Sequence, residues 1–411
     1  MNPDKPTTRQ LRRTNRSTLL KWIYFDGPIS RLELSQRTEL SPATATNLTS
    51  ELLAEGSIVE SGIEESEGGR PRTLLKMNPE YGYFIGVDVG ETRVQSELFD
   101  LTLKRLCTVT HPLSSAENQP QQVVDHIVAG VNDLLTQANL PTDEVLGIGI
   151  GVPGLVAPAS GVSVYAPNWG WHDVPFLAML KEHLSIPIYL DNGAKVMALA
   201  ESWLGAGRDI DSLAVLLVGT GIGAGIITNG SLYRGASNSA GEWGHITLEL
   251  DGRQCRCGSR GCLEAYAGAQ GIIQRYAEIA PASPFLQSGD QNKILAAIAE
   301  AAREGEPSAV QVLKDTARYL GVGVANLINM VNPELILLGG WVWLQIGDLI
   351  DQDLRQAIQE HALQQPFSNT TIGQCQLGQD AVPMGAATLP LKVFLETSGA
   401  KAFPGKQVPV F

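Results

Sequence analysis

Tyr83-Phe-Ile-Gly-Val-Asp-Val-Gly-Glu-Thr-Arg-Val-Gln-Ser-Glu-Leu-Phe-Asp-Leu101 is the stretch that decides how the body of this chain folds. Tyr83 to Val89 is an apolar run of strand length, Gly90-Glu91-Thr92 supplies turn residues, and Val94 to Leu101 reads as the returning strand of a hairpin. Outward from it, Val145 to Val152 is a further strand ending in Pro153-Gly154, and Ile186 to Asp191 is another, followed by a helix from about Ala194 to Leu204. Leu213 to Val218, Gly225 to Ile227 and Leu335 to Leu338 complete the predicted strands. Apolar strands alternating with helices after Pro79 imply an α/β architecture. At 411 residues, 44% of them hydrophobic, the chain is globular and too long for one core, so two or three domains are expected. The amino terminus lacks the apolar segment of a signal. The longest apolar stretch, around Leu213 to Ile227, is broken by Gly-Thr-Gly-Ile-Gly. No membrane span and a cytoplasmic location are therefore expected.

The net charge of −13 is unevenly placed. Residues 1 to 37 hold eight Lys/Arg against three acids, whereas residues 77 to 411 hold 19 against 33. A basic head thus precedes an acidic body. Within the head, Leu11, Leu19, Leu20, Ile23 and Tyr24 recur at helical spacing until Asp26-Gly27-Pro28 stops the helix. Ser30 can cap a second helix carrying Leu32 and Leu34, and Ser41-Pro42 starts a third that ends at Gly56. Three short helices in this order resemble a helix-turn-helix unit.

Leu48, Leu52 and Leu53 give the third helix an inward stripe, while Ala43, Thr44, Thr46 and Asn47 at its start are small or hydrogen-bonding, as recognition helices are where they meet base edges. Ser57 to Ser61 and Thr73 to Met77 read as two strands of a wing, whose loop ends Gly68-Gly69-Arg70-Pro71-Arg72; Arg70 and Arg72 are placed to reach phosphates or the minor groove. Operator DNA is the partner these features predict. A three-helix protein-interaction module with a solvated basic face is the alternative that charge alone leaves open.

Three of the five cysteines, Cys255, Cys257 and Cys262, fall within eight positions, and His245 lies ten residues before the first. Three thiolates and an imidazole form a closed tetrahedral set, so the spacing predicts a structural zinc ion held by His245, Cys255, Cys257 and Cys262. Gly258 and Gly261 suit the sharp turns such wrapping needs. Three cysteines cannot pair completely, which weighs against disulfides. Cys107 and Cys375 read as isolated thiols.

Gly151-Val-Pro-Gly154, Ala166-Pro-Asn168-Trp-Gly-Trp171, Gly219-Thr-Gly-Ile-Gly-Ala-Gly225, Glu242-x-Gly-His245 and the cysteine motif occur together, and in this combination the chain resembles the ROK family of repressors, open reading frames and kinases, in the type that carries an amino-terminal winged helix-turn-helix. The resemblance implies a two-lobed, actin-like (ribonuclease-H-like) fold with a hexose or related sugar in the interlobe cleft. It implies a winged-helix domain over 1–78, a first lobe over 79–192 plus about 380–411, and a second lobe over 193–379. It also implies that Asn192, Glu242, His245 and Glu264 contact the sugar and that Asn168 lies in a segment lining its site. Metal ligation by one nitrogen of His245 would then orient the other toward the sugar.

Sugar phosphorylation needs a carboxylate to take the hydroxyl proton, and loops that admit polyphosphate. Kinases of the family carry Asp at the position that is Gly193 here, and a glycine at the position that is Glu91. These departures predict a chain without catalytic residues: a sugar-responsive regulator, expected to be a repressor, that binds a sugar or sugar phosphate and pairs as a homodimer or dimer of dimers on palindromic DNA. A regulator governed by a protein partner, and an active hexokinase with a DNA-binding head, are the alternatives.

Overall fold

The computed structural model describes residues 7–65, 71–113 and 118–399. The head begins with helix α1 (Thr8–Asp26), started by a Thr7–Gln10 capping box. Strand β1 (Ile29–Ser30) leads into α2 (Arg31–Thr38), where the Ser30 hydroxyl accepts from Glu33 N at 3.3 Å. Helix α3 (Pro42–Ala54) is capped by Ser41, which accepts from Thr44 N at 3.2 Å, with proline where no donor is lost. The wing is β2 (Ile58–Glu64) and β3 (Arg72–Met77), both longer than predicted, in a sheet of order β1-β3-β2. Leu19, Leu20, Ile23, Leu34, Leu48 and Leu52 fill the core of the head. Leu11 and Leu32 do not join it, remaining 48% and 40% exposed.

The first lobe runs β4 (Tyr83–Val89), β5 (Arg93–Asp100), β6 (Arg105–Pro112), α4 (Pro120–Ala138), β7 (Val145–Val152), a small sheet of β8 (Leu155–Ala157), β9 (Val162–Ala166) and β10 (Trp171–Val174), then α5 (Phe176–Lys181) and β11 (Ile188–Asn192). Its main sheet has the order β11-β7-β4-β5-β6; β4, β5 and β6 are antiparallel, and β7 and β11 run parallel to β4. Helix α6 (Gly193–Leu204) leads to the second lobe: β12 (Leu213–Val218), β13 (Ile222–Thr228), β14 (Ser231–Leu232), α7 (Glu264–Ala267), α8 (Ala269–Ile279), α9 (Gln291–Arg303), α10 (Pro307–Val331), β15 (Leu335–Gly339), α11 (Trp341–His361), α12 (Gln364–Asn369) and β16 (Thr371–Gln374). That sheet, β14-β13-β12-β15-β16, repeats the same order and the same mixture of antiparallel and parallel pairs. The body is thus one topology used twice, the actin-like, ribonuclease-H-like arrangement.

Helix α13 (Ala381–Glu396) closes the described chain by returning to the first lobe, against β4, β7 and α6. It lies so close that a Cβ on Gly86, Gly149 or Gly385 would sit 1.9, 1.8 or 1.9 Å from the carbonyl oxygens of Pro383, Ala386 and Val196. At its far end Leu391, Phe394 and Leu395 share one hydrophobic core with Leu19, Leu20 and Ile23 of the head. Ser17 donates to Leu395 O at 2.7 Å, and Arg16 Nε donates to Ser398 O at 2.9 Å. The packing therefore runs across residue 78. The expected extension over 400–411 lies outside the described residues. No described helix is long and apolar enough to cross a membrane.

Candidate functional site

After β14 the chain forms an irregular loop whose shape is set by two isolated bridges, Thr247 with Cys262 and Gln254 with Arg260. Gly258 and Gly261 take φ of 92° and 70°, and a Cβ on Gly261 would lie 1.6 Å from Glu249 O. These turns bring His245, Cys255, Cys257 and Cys262 together, their ligand atoms all within 4.8 Å of one another. Cys257 Sγ lies 3.7 Å from Cys262 Sγ, and Cys255 Sγ lies 3.7 Å from His245 Nδ1. A tetrahedron of sulfurs about 2.3 Å from a central ion has edges of about 3.8 Å, whereas a disulfide needs about 2.05 Å. The four groups therefore form a set that can hold a metal ion, and no described cysteine is bridged. Burial raises the thiol pKa of Cys255 and Cys262, so thiolates here call for a cation. Nδ1 faces the cluster, which leaves Nε2 as the second imidazole nitrogen.

A cavity of about 480 Å³ opens beside the cluster, lined by both lobes and by all five residues expected at a sugar, Asn168, Asn192, Glu242, His245 and Glu264. That size suits a small-molecule site. Glu264, the first residue of α7, is nearly buried, and its Oε2 accepts from Ile222 N at 3.0 Å. Burial pushes the Glu242 carboxyl above its usual range, against the opposing pull of Lys195 and His245. Among the described residues no donor forms a hydrogen bond to that carboxylate, which leaves its oxygens for a ligand's hydroxyls. Asn168 stands beside Glu91; its Nδ2 is buried without a hydrogen bond of normal geometry.

Asn192 is more heavily engaged than its expected role suggests. Its Oδ1 caps α6 through Ala194 N (2.9 Å) and Lys195 N (3.3 Å), and its Nδ2 donates to Gly154 O at 2.8 Å. One amide hydrogen remains for a ligand, and the rest of the side chain fixes Gly154, whose φ is 78°. Next to it, Gly193 is the first residue of α6, and a Cβ there would meet nothing nearer than Val382 at 3.9 Å.

Several charged groups in and around the cleft carried no signal in the sequence. Buried Lys195 donates to Asn238 O; Arg234 reaches Asp191 at 2.5 Å and Asn238 Oδ1 at 2.7 Å. Arg256, between two cysteines of the cluster, donates through Nη1 to both oxygens of Glu91 at 2.9 Å, joining the lobes across the cleft. Its Nη2 lies 3.5 Å from Glu264 Oε1. Burial pushes the Glu91 carboxyl above its usual range, against the opposing pull of Arg256.

On the head, Ala43, Thr46 and Asn47 are exposed on the first turns of α3, while Thr44 is half-buried with its hydroxyl 2.9 Å from Ser41 Oγ. Arg72 is exposed at the start of β3, opposite Glu64; Arg70 lies outside the described residues. The basic surplus is partly internal. Arg12 pairs with Glu51 of α3 and Arg16 with Glu55 just past its end, Arg31 with Glu60, and Arg37 with Asp26 and Glu33. Half of the eight cations counted in residues 1 to 37 therefore hold the head together.

Residues 84–393 match the model of the ROK family. The chain is 32% identical over 383 residues to the xylose repressor of Caldicellulosiruptor bescii, covering 92% of this chain and 96% of that one. It is similar to the crystal structure of a ROK family transcriptional regulator described as a homologue of Escherichia coli MLC protein, with a TM-score of 0.78 at 28% identity over 95% of this chain and 98% of the other. A ROK family glucokinase from Streptomyces griseus in complex with glucose and AMPPNP superposes with a TM-score of 0.67 at 31% identity, covering 75% of this chain and 99% of that one.

Proposed function

The chain belongs to the ROK family, and on that premise we propose that it is a sugar-responsive transcriptional repressor, using a kinase-like cleft for sensing and not for catalysis. One observation carries the reading: a winged-helix head and a cleft lined by Asn168, Asn192, Glu242, His245 and Glu264 share one chain in which Gly193 stands at the family's general-base position. No carboxylate oxygen lies within 4 Å of where a Cβ on Gly193 would be. Asp191, two positions earlier, is committed to Arg234 and Asn238. Removal of a general base lowers rate by about 10²- to 10⁴-fold.

The metal at His245, Cys255, Cys257 and Cys262 is read as zinc, from the S₃N donor set and the edge lengths. It is structural, since four protein ligands leave no position for water. When bound, it neutralises part of the thiolate charge and fixes the imidazole. The chain's own residues do the sensing. Glu242, Glu264 and the remaining amide hydrogen of Asn192 supply acceptors and a donor for sugar hydroxyls. Ala43, Thr44, Thr46, Asn47 and Arg72 form the DNA-reading face, together with Arg70. A homodimer would place two α3 helices in successive major grooves, about 34 to 36 Å apart, in the cytoplasm where the DNA is. Sugar that binds the DNA-free conformation about a hundredfold better shifts the equilibrium by roughly 2.7 kcal/mol.

The experiment is a thermal-shift screen of pentoses, hexoses and their phosphates, then titration of any hit into the complex with a DNA fragment selected by the protein. Release of the DNA is expected, with no sugar-dependent ATP consumption. Glu264→Gln should weaken sugar binding at least tenfold and leave sugar-free DNA affinity intact. Turnover at ordinary kinase rates would defeat the reading, as would release by a protein partner alone. Asn47→Ala, at an exposed position, should reduce affinity for the selected site by about 1–3 kcal/mol without altering the melting temperature; equal binding by gel shift would remove Asn47 from base readout.

A further inference from the structure

We propose that Glu91 is a positioning residue of the sugar site: by taking up the Arg256 guanidinium it keeps that cation off Glu264 and leaves the Glu264 carboxylate open to a sugar hydroxyl. This rests on the sugar-sensing reading and deepens it by one residue, which acts on the site through another side chain. Glu91 stands in the turn between β4 and β5, in the first lobe, where kinases of the family carry glycine. Arg256 belongs to the second lobe, between two cysteines of the cluster. Its Nη1 donates to both oxygens of Glu91 at 2.9 Å, the length of a charge-assisted bond. At the next residue Tyr165 Oη donates to Cys257 O at 3.3 Å. The first lobe therefore grips the loop by its backbone as well, and the partner of the guanidinium is settled at the level of side chains.

Glu264 meets the same guanidinium through its other nitrogen, and less closely. Its Oε2 accepts from Ile222 N at 3.0 Å, whereas Oε1 lies 3.5 Å from Arg256 Nη2, beyond the roughly 2.9 Å of a charge-assisted hydrogen bond. Oε1 is thus the oxygen a ligand can use. Among the described residues, Glu91 and Glu264 are the two carboxylates paired with Arg256, and the side chains of Arg256, Glu91 and Glu264 are 25%, 19% and 10% exposed. A guanidinium so far removed from water keeps a counter-ion. Without Glu91 that counter-ion is Glu264. A Cβ on Gly221 would lie 3.0 Å from Glu264 Oε2 and 3.8 Å from Arg256 Nη2, so the two groups meet over a residue with no side chain to hold them apart. A close ion pair there would occupy the lone pairs that a sugar hydroxyl needs, and an uncharged hydroxyl competes poorly with a guanidinium for a carboxylate.

Calorimetric titration of the full chain with aldopentoses, aldohexoses and their phosphates tests this. For the sugar that wild type binds most tightly, Glu91→Gln should weaken binding at least tenfold, with metal content and sugar-free DNA affinity unchanged. Adding Arg256→Gln to Glu91→Gln should recover most of the lost affinity, because the second amide has no charge to place on Glu264. A gap in the packing would not be repaired by a second truncation. Glu91→Gly, which removes the side chain altogether, should lose affinity as Glu91→Gln does, and Glu91→Asp, which keeps the charge, should stay within a few-fold of wild type. Sugar binding by Glu91→Gln within a few-fold of wild type would overturn this inference, as would a double variant no better than the single; both results leave sugar sensing standing. Loss of the metal together with the sugar in Glu91→Gln and Glu91→Gly would assign the pair to the folding of the loop and overturn the positioning role. Failure of every sugar to bind a wild-type protein that still binds its DNA fragment would overturn the sensing reading and this inference with it.

Discussion

Cys262→Ser is expected to strip the protein of its metal and, with it, one wall of the cleft. Cys262 is fully buried, and its backbone is bridged to Thr247 in the segment that returns from the metal to Glu264. Without the fourth ligand the two remaining thiols lose the cation that lets them ionise, and the loop carrying Gly258 and Gly261 in left-handed conformations has nothing to hold it closed. Metal content should fall from one ion per chain to near zero. Sugar affinity should drop at least a hundredfold, since His245, Arg256 and Glu264 all take their positions from this loop. Loss of a structural metal belongs to the small set of changes that exceed about 4 kcal/mol, so denaturant unfolding should show a large loss from the second lobe. Cys107→Ser, remote from the cluster, is the control and should retain the metal. Full metal occupancy in Cys262→Ser, or sugar binding within a few-fold of wild type, would show that the four residues are not a ligand set.

Gly149→Ala should be nearly as damaging, although it adds one methyl group. Gly149 is in the middle of β7, and its Cβ would lie 1.8 Å from the carbonyl oxygen of Ala386 on α13. No rotamer change relieves a clash between two backbones, so the helix must lift from the sheet. Overpacking a core typically costs about 1–3 kcal/mol, and a rigid backbone contact should take this case above the upper end of that range. Gly86→Ala meets the same obstacle at Pro383 O. Gly193→Ala is the contrasting case: the added carbon has open space and sits at a helix start, so stability should be unchanged or slightly raised. Equal urea midpoints for Gly149→Ala and Gly193→Ala would refute this account of how α13 is seated.

The parts of the fold legible in the sequence are those whose pattern is local. Tyr83–Val89, Val145–Val152 and Leu213–Val218 have the predicted bounds because strands in the middle of a sheet are buried on both faces and read as unbroken apolar runs. Strand β6 (Arg105–Pro112) alternates half-buried and exposed residues at the sheet edge, and β9 and β16 are short; none stands out from loop composition. The cysteine and histidine cluster was legible because metal geometry constrains spacing. Glu91 and Arg256 were not, since 165 residues separate them and nothing in either neighbourhood refers to the other. The charge of the head shows the converse error. A tally of cations counts Arg12 and Arg16 toward DNA, whereas the fold turns both onto acids at the carboxyl end of α3.

Helix α13 touches the cleft with Val382 near its first turn and the DNA-reading head with Phe394 and Leu395 near its last. Its 16 residues span about 24 Å at 1.5 Å per residue. Mechanically it is a lever whose short arm is in the sensor and whose long arm is under the reader. A tilt of about 10° at the cleft would carry the far end by about 4 Å over that length, more than a hydrogen bond to a base edge tolerates. A motion of that size around a bound sugar would decide whether the head fits its groove.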